Sequence, residues 1–451
     1  MWFKALELLG SLSILIVLHE LGHFLAAKYF KVRVEKFYLF FDFMFPAPNV
    51  LNFALFKKKI GDTEYGIGWF PMGGYVQMSG IMDESMDKEA LAQPVKDYEF
   101  RAKPAWQRMI ILLGGIIVNV LLAFVIYSGM SFTWGDSYIP VENLTHGLYV
   151  DSLAESIGLQ NGDHIIEVAG KKVTNYRDIK KDMILDLARD ITVKRGDKTF
   201  KIDGLSDKFY GIMLNKKHYF IEMAFPTVID SIFSNTAISK TNIKKGDEII
   251  SIDGNKIDYY VEFTQLIAKM DVKESKTLDI EYSRDGEIFK EKITIDSQKK
   301  FGFVVKTLKI EHRDYSFVQA LVAGPVKTYE TLDDYLKQFK LIFNREIGGY
   351  KQIGGFGAIG GMFPSKENFT WYTFWALTAF LSVMLAFLNL LPIPALDGGH
   401  AMFTLYEMIV GKPANEKFME YAQMVGMALL FGLLIYANGN DLIKGLMNWF
   451  G

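Results

Sequence analysis

Hydrophobic residues along this chain fall into two regimes. In the first, apolar residues run on without interruption for long enough to cross a bilayer core, which takes about 20 residues of helix. Four stretches qualify: 8–27, 109–132, a third within 369–396, and 421–440. The first is charged only at Glu20, and the other three contain no Asp, Glu, Lys or Arg. In the second regime, between 135 and 368, apolar residues come in short runs bounded by Gly, Asp and Asn, the pattern of strands and turns. The pattern predicts four transmembrane helices interrupted by a β-rich soluble region. The first stretch is read as a retained span rather than a signal peptide, because it is long, lacks a small-residue cleavage pattern and carries two histidines and a glutamate near its end.

The β-rich region contains an internal repeat. Residues 159–173 align without gaps onto 243–257, with identity at Gly162/Gly246, Asp163/Asp247, Ile165/Ile249, Ile166/Ile250, Gly170/Gly254 and Lys172/Lys256. Each copy reads as a Gly-Asp turn, a short strand and a second glycine turn. The pattern resembles the PDZ domain, which implies tandem PDZ domains at 135–216 and 217–308. Two flanking segments read differently. Residues 39–56 are strongly apolar but contain Asp42, Pro46 and Pro48, and prolines oppose a continuous helix, so an interfacial or re-entrant segment is expected. Residues 315–344 mix apolar and charged positions, as an amphipathic helix on the membrane surface does; a linker helix packed on the second repeat fits equally.

Composition sharpens this picture in three ways. Half the residues are apolar while 23% are charged, so membrane and soluble parts must be segregated along the chain. A net charge of −2 gives no bulk reason to expect nucleic-acid binding. With no cysteine, disulfides and thiolate metal sites are excluded, and a metal must sit on His, Asp or Glu. Basic residues set the expected orientation. Lys28, Lys31, Arg33 and Lys36 follow the first span, Arg101, Lys103 and Arg108 precede the second, and Lys412 and Lys417 lie between the third and fourth. Those two loops should be cytoplasmic, leaving both termini and the long β-rich region outside.

The chemistry-bearing string is His19-Glu20-Leu21-Gly22-His23. Histidines at i and i+4 on a helix share a face, so both imidazoles can reach one zinc ion. Glu20, next to them, can take a proton from water activated by the metal. Ionisable groups inside a span are costly and mark function, and here three occur together. A catalytic zinc site typically has three protein ligands. The end of the third apolar stretch reads Asn389-Leu-Leu-Pro392-Ile-Pro394-Ala-Leu-Asp397-Gly398-Gly399-His400. Two prolines break the helix there, and Gly398-Gly399 is read as a sharp backbone turn. The third ligand is therefore His400 or a carboxylate, Asp397 being the one carboxylate of that constellation.

His-Glu-x-x-His in a first span, paired with a late Asn-x-x-Pro-x-Pro-x-x-Asp-Gly, resembles the site-2 protease family of intramembrane zinc metalloproteases. Four spans with tandem PDZ domains between the second and third are similar to its RseP-type bacterial branch. The resemblance implies one zinc per chain held by His19, His23 and Asp397, with Glu20 as general base and His400 outside the ligand set. It implies that Asn389 contacts the substrate backbone or the developing oxyanion. It further implies that Gly66, Ile67, Gly68 and Trp69 belong to a membrane-associated β-hairpin that offers an edge strand to an unwound substrate. Two positions depart from the family pattern: Gly114-Gly115-Ile116 precedes Asn119 where Gly-Pro is usual, and Gly354-Gly355-Phe356-Gly357 lacks a proline.

The expected architecture is thus a multi-span α-helical membrane protein with a membrane-associated β-hairpin and two external β-rich PDZ domains. Its expected segments are 1–134, 135–216, 217–308, 309–368 and 369–451. The expected partners are single-span transmembrane substrates, anti-sigma factors or remnant signal peptides by resemblance, together with the lipid bilayer and peptide C-termini at the PDZ domains. The expected location is the bacterial inner membrane. A catalytically silent PDZ scaffold and a metal-ion transporter are the rival readings, but a scaffold needs neither a base nor three ligands, and the glutamate suits hydrolysis better than permeation.

Overall fold

The computed structural model describes residues 2–44, 51–71, 73–81, 94–215 and 219–450. It divides into two units, one comprising Met1–Gly135, Asp314–Phe339 and Lys351–Gly451, the other Asp136–Arg313 and Lys340–Tyr350.

The first unit is built on helices. Among the described residues four are long and apolar enough to cross a membrane: α1 (Trp2–Tyr29), α2 (Ala105–Trp134), α9 (Trp371–Leu390) and α11 (Glu416–Phe450). Helix α2 packs against α1 and α9, and the closest approach is set by glycine. A Cβ on Gly22 would lie 2.3 Å from the Gly114 carbonyl oxygen, and one on Gly114 would lie 2.6 Å from that of Gly22. The backbones of α1 and α2 therefore touch, a crossing that only small residues permit in a membrane. Where the family pattern has Gly-Pro, Gly114-Gly115 here keeps α2 an uninterrupted helix and lets α1 approach it. Helix α9 is tied to the pair by Ser382 Oγ, which donates to the Asn119 carbonyl at 2.8 Å, and by Thr378 Oγ1, 3.0 Å from Ser11 Oγ.

Between α1 and α2 lie four strands: β1 (Val34–Leu39), β2 (Ala54–Ile60), β3 (Thr63–Gly68) and β4 (Tyr75–Met78). They form one sheet in the order β2-β3-β1-β4, with β1 parallel to β3 and the other pairs antiparallel. This corrects the expected hairpin in a consequential way. Gly66, Ile67 and Gly68 lie on β3, an interior strand, where Gly66 pairs with both Tyr38 and Lys57 and Ile67 with both Leu39 and Phe56. Trp69 follows it, its Nε1–H donating to the Leu51 carbonyl at 2.8 Å. Gly66 and Ile67 are thus paired on both sides and are not an edge, and Gly68 pairs with Ala54 on β2. Among the described residues the sheet's edges are β2 and β4. Residues 45–50 of the expected re-entrant segment lie outside the described residues.

The second unit carries the repeat, and it extends well past the fifteen aligned positions. The first copy contains β6 (Leu148–Val150), α3 (Ser152–Glu155), β7 (His164–Val168), β8 (Lys171–Lys172), α4 (Tyr176–Leu185), β9 (Asp190–Arg195), β10 (Lys198–Asp203), α5 (Asp207–Asn215) and β11 (Ile221–Met223). The second contains β12 (Ile229–Ile232), β13 (Glu248–Ile252), β14 (Asn255–Lys256), α6 (Tyr260–Lys269), β15 (Ser275–Arg284), β16 (Glu287–Asp296) and β17 (Phe303–Val305). The sheets have matching orders, β10-β9-β7-β8 and β14-β13-β15-β16, and α4 and α6 begin the same distance after their strands. Each copy closes on its own core, one around Leu148, Ile165, Ile191 and Tyr210, the other around Ile249, Leu278, Ile280 and Ile293. Strand β11 pairs with β6, so the chain through 223 still belongs to the first copy. A short ladder of β5 (Asp136–Tyr138) with β18 (Glu311–Arg313) brings the unit's two chain ends together.

The shared Asp of the two turns is buried, and both copies satisfy it the same way. Arg195 Nε and a terminal nitrogen donate to the two Asp163 oxygens at 2.7 and 2.8 Å, and Arg284 does the same to Asp247 at 2.7 and 2.7 Å. Burial alone pushes the Asp247 carboxyl up. The Arg284 guanidinium and the Lys244 N–H outweigh burial and hold it below its ordinary value.

Helix α7 (Phe317–Ile342) lies mostly in the first unit. Through residue 339 it packs against α2 and α9, with Thr331 Oγ1 3.1 Å from the Tyr127 hydroxyl and Tyr335 edge-on to Phe387. Gly324 faces Ser128 so closely that a Cβ would lie 2.0 Å from its Oγ. Two further helices complete the first unit: α8 (Phe356–Met362) and α10 (Asp397–Val410). Asp441 on α11 accepts from Gly355 and Ala358 N–H groups at 2.9 and 2.8 Å, capping the first turn of α8.

Candidate metal centre

His19 and His23 lie one turn apart on α1 and are both buried. Gly22 shares their face, so the same side of α1 that presses on α2 carries the imidazoles towards it. Gly115 on α2 makes room, because a Cβ there would lie 2.5 Å from His19 Cε1 and 2.5 Å from His23 Nε2. Asp397 arrives from the other end of the chain as the first residue of α10. The two glycines after it are helical, contrary to the expected sharp turn. Their small size is what the site uses: a Cβ on Gly398 would lie 2.4 Å from the Leu391 carbonyl oxygen, and one on Gly399 2.4 Å from that of Ile393. The start of α10 thereby tucks under the proline-broken segment, which fixes where the Asp397 carboxylate points.

Among the described residues, His19, His23 and Asp397 form the group able to hold a metal. Asp397 Oδ2 lies 3.1 Å from His19 Nε2 and 3.3 Å from His23 Nε2, and the two Nε2 atoms are 3.3 Å apart. Ligand atoms around a tetrahedral zinc with bonds of about 2.0–2.1 Å stand about 3.3 Å from one another. The three atoms therefore have the spacing of one face of such a tetrahedron. Despite these short distances, Asp397 Oδ2 is buried with no hydrogen-bond partner. A carboxylate oxygen stripped of water and of hydrogen bonds is costly unless a cation shares its lone pair. Two imidazoles and one carboxylate are a donor set that zinc accepts, and three protein ligands leave a position open.

The surrounding contacts orient the set. His23 Nδ1 donates to the Ile111 carbonyl at 2.8 Å, which leaves Nε2 for the metal. His19 Nδ1 lies 3.1 Å from Asn119 Nδ2. Asn389, in the last turn of α9, places its Nδ2 3.2 Å from His19 Nε2, so the geometry brings it to the cluster's edge. His400 is one turn further along α10 and outside the cluster. Glu20 is half-buried and its stem approaches the sheet: a Cβ on Gly74, the residue that leads into β4, would lie 3.4 Å from Glu20 Cγ. Gly74 immediately precedes β4, so it is the start of that strand that lies nearest Glu20. Sequence reasoning missed the Ile111 carbonyl and the roles of Gly115 and Asn119. Asn119 could have been found as the one amide side chain in an otherwise apolar span, since such groups are retained for a reason.

Comparison with known proteins identifies the family of the chain. The model of peptidase family M50 matches residues 7–433. The chain is 26% identical to the regulator of sigma-E protease RseP of Escherichia coli, over 96% of this chain and 96% of that protein. It is 28% identical, over 98% of each chain, to a protein of Borreliella burgdorferi assigned as a zinc metalloprotease. A Neisseria meningitidis protein assigned the same way is 27% identical over 97% of this chain and 98% of its own. With the match running from residue 7 to residue 433, the chain belongs to peptidase family M50.

Proposed function

We propose that this protein is a membrane-embedded zinc endopeptidase that cuts transmembrane segments of single-span proteins, with His19, His23 and Asp397 holding one zinc and Glu20 as general base. The triangle of His19 Nε2, His23 Nε2 and Asp397 Oδ2 carries this reading. Zinc held there supplies Lewis-acid chemistry, polarising a carbonyl and easing the ionisation of water. Glu20, adjacent to the ligands in sequence but outside their set, takes the water's proton and returns it to the leaving amine. Asn389 Nδ2, at the cluster's edge, donates to the substrate carbonyl as negative charge develops on it. The reading is tested on full-length protein reconstituted with a tagged single-span substrate. Cleavage within the span should stop when zinc is stripped and return when zinc alone is restored; cleavage that persists without zinc rejects it.

A helical substrate shields its peptide bonds and must unwind before hydrolysis. The edge strand β4 offers the unwound piece backbone partners beside Glu20, by strand addition. Along a strand the N–H groups alternate sides, so one of Val76 and Gln77 directs its N–H away from β1. Of Val76→Pro and Gln77→Pro, the variant that spares the β1 pairing should keep zinc and fold yet lose most cleavage. Native-rate cleavage by a folded, zinc-replete variant removes the strand-addition role from β4.

The two repeats are PDZ domains in this reading, lying outside the bacterial inner membrane with both chain termini on the same side. They screen substrates by bulk or capture newly exposed C-termini, and the substrate class is anti-sigma factors or remnant signal peptides. Titrating the full chain with carboxy-terminal peptides separates the two roles, since screening by bulk needs no binding.

A further inference from the structure

We propose that Asn119 is the positioning residue that holds His19 in its metal-binding tautomer, an inference that rests on His19 being a zinc ligand. Residues 111, 115 and 119 are successive turns of α2 and line the face beneath the two imidazoles. At the first, the Ile111 carbonyl accepts the Nδ1–H of His23. At the second, Gly115 leaves the rings space. At the third, the Asn119 amide meets His19 Nδ1 at 3.1 Å.

The chemistry of that third contact decides its direction. His19 Nε2 faces Asp397 Oδ2, so a neutral imidazole that binds metal there carries its proton on Nδ1. That Nδ1–H needs an acceptor. Asn119 is fully buried, and its Oδ1 has no hydrogen-bond partner while its Nδ2 faces the ring. The two ends of a side-chain amide are isosteric, and a half-turn about the terminal bond exchanges them. The half-turn puts Oδ1 against Nδ1–H, which satisfies the orphaned oxygen and removes a donor from facing a donor. Asn119 then does for His19 what the Ile111 carbonyl does for His23. Its own place is pinned by Ser382 Oγ, which donates to its main-chain carbonyl at 2.8 Å. Asn119 acts through His19 and does not itself touch the reacting atoms.

The test measures zinc affinity of the full-length protein by chelator competition, with no activity readout. Asn119→Leu, nearly isosteric but without an acceptor, should bind zinc about 10–100-fold more weakly. Asn119→Asp keeps the acceptor and should hold zinc at native affinity or tighter. A role confined to helix packing predicts the reverse, tolerating the isostere and suffering from the buried carboxylate. Native affinity in the Leu variant, or a loss in the Asp variant as large as in Leu, overturns the proposal. If the Leu variant does not fold, the Asp variant alone decides: retained zinc supports the role and a loss of about tenfold or more rejects it. His19→Ala distinguishes the two levels of failure. Native zinc affinity in His19→Ala would mean that the ligand assignment itself is wrong. Lost zinc in His19→Ala with none lost in Asn119→Leu would remove only the positioning role.

Discussion

Replacing Glu20 by Gln should leave zinc and fold in place and slow cleavage by about 10²–10⁴-fold, the usual contribution of a positioned general base. The two side chains have the same shape, so the space that Gly74 leaves beside residue 20 accommodates both. The amide cannot accept a proton at any pH of interest, so water approaching the substrate carbonyl keeps both of its protons. Because Glu20 lies outside the triangle of ligand atoms, metal content is the control that separates this outcome from simple damage. The measurement is the cleaved fraction of a reconstituted single-span substrate together with zinc per chain by mass spectrometry. Turnover within about tenfold of native in a zinc-replete variant would take the base away from Glu20.

Asp397→Ala should have an effect of comparable size by a different route, with zinc lost first. Asp397 brings the only negative charge among the three ligand atoms, and both histidines face that same oxygen at 3.1 and 3.3 Å. Without it two neutral imidazoles remain, fewer than the three protein ligands a catalytic zinc usually has. The affinity loss should exceed the about 10–100-fold that removal of a supporting hydrogen bond costs. Asp397→Asn should lose zinc too, since a neutral amide oxygen is a poor substitute for a carboxylate. Stoichiometric zinc in either purified variant would mean that Asp397 is not a ligand. His400, one turn along α10, would then be the candidate.

These two variants divide the site between its ends. Glu20 and the histidines come from the first helix, and Asp397 comes from a segment more than 370 positions later. What brings them together is small residues. Gly22 and Gly114 let α1 touch α2, Gly115 opens space for the rings, and Gly398-Gly399 seat the start of α10 under the broken segment. None of these glycines carries chemistry, yet a methyl group at any of them would collide with backbone or with an imidazole and disturb the grouping of His19, His23 and Asp397.

Read without a structure, the chain already discloses whatever is local. The four spans are continuous apolar runs, and a helix in lipid satisfies its own backbone, so run length alone predicts it. The i, i+4 spacing of His19 and His23 places them on one face for the same geometric reason. The Gly-Asp turns reveal a repeat, because a turn's chemistry is encoded in adjacent residues. Tertiary structure decided the rest. That β3 is interior and β4 an edge depends on pairing with β1 and β2, and no strand's own sequence says which of its two edges is covered. The arginines that clasp the repeat's aspartates, Arg195 and Arg284, follow them at different separations, so alignment could not pair them. Gly398 and Gly399 look like turn residues in one dimension and prove to be helical, needed for clearance. Asn119 is one amide in an apolar run until α1 is laid across α2. Only then does it face His19, because hydrogen bonding between helices is a property of their crossing and not of either sequence.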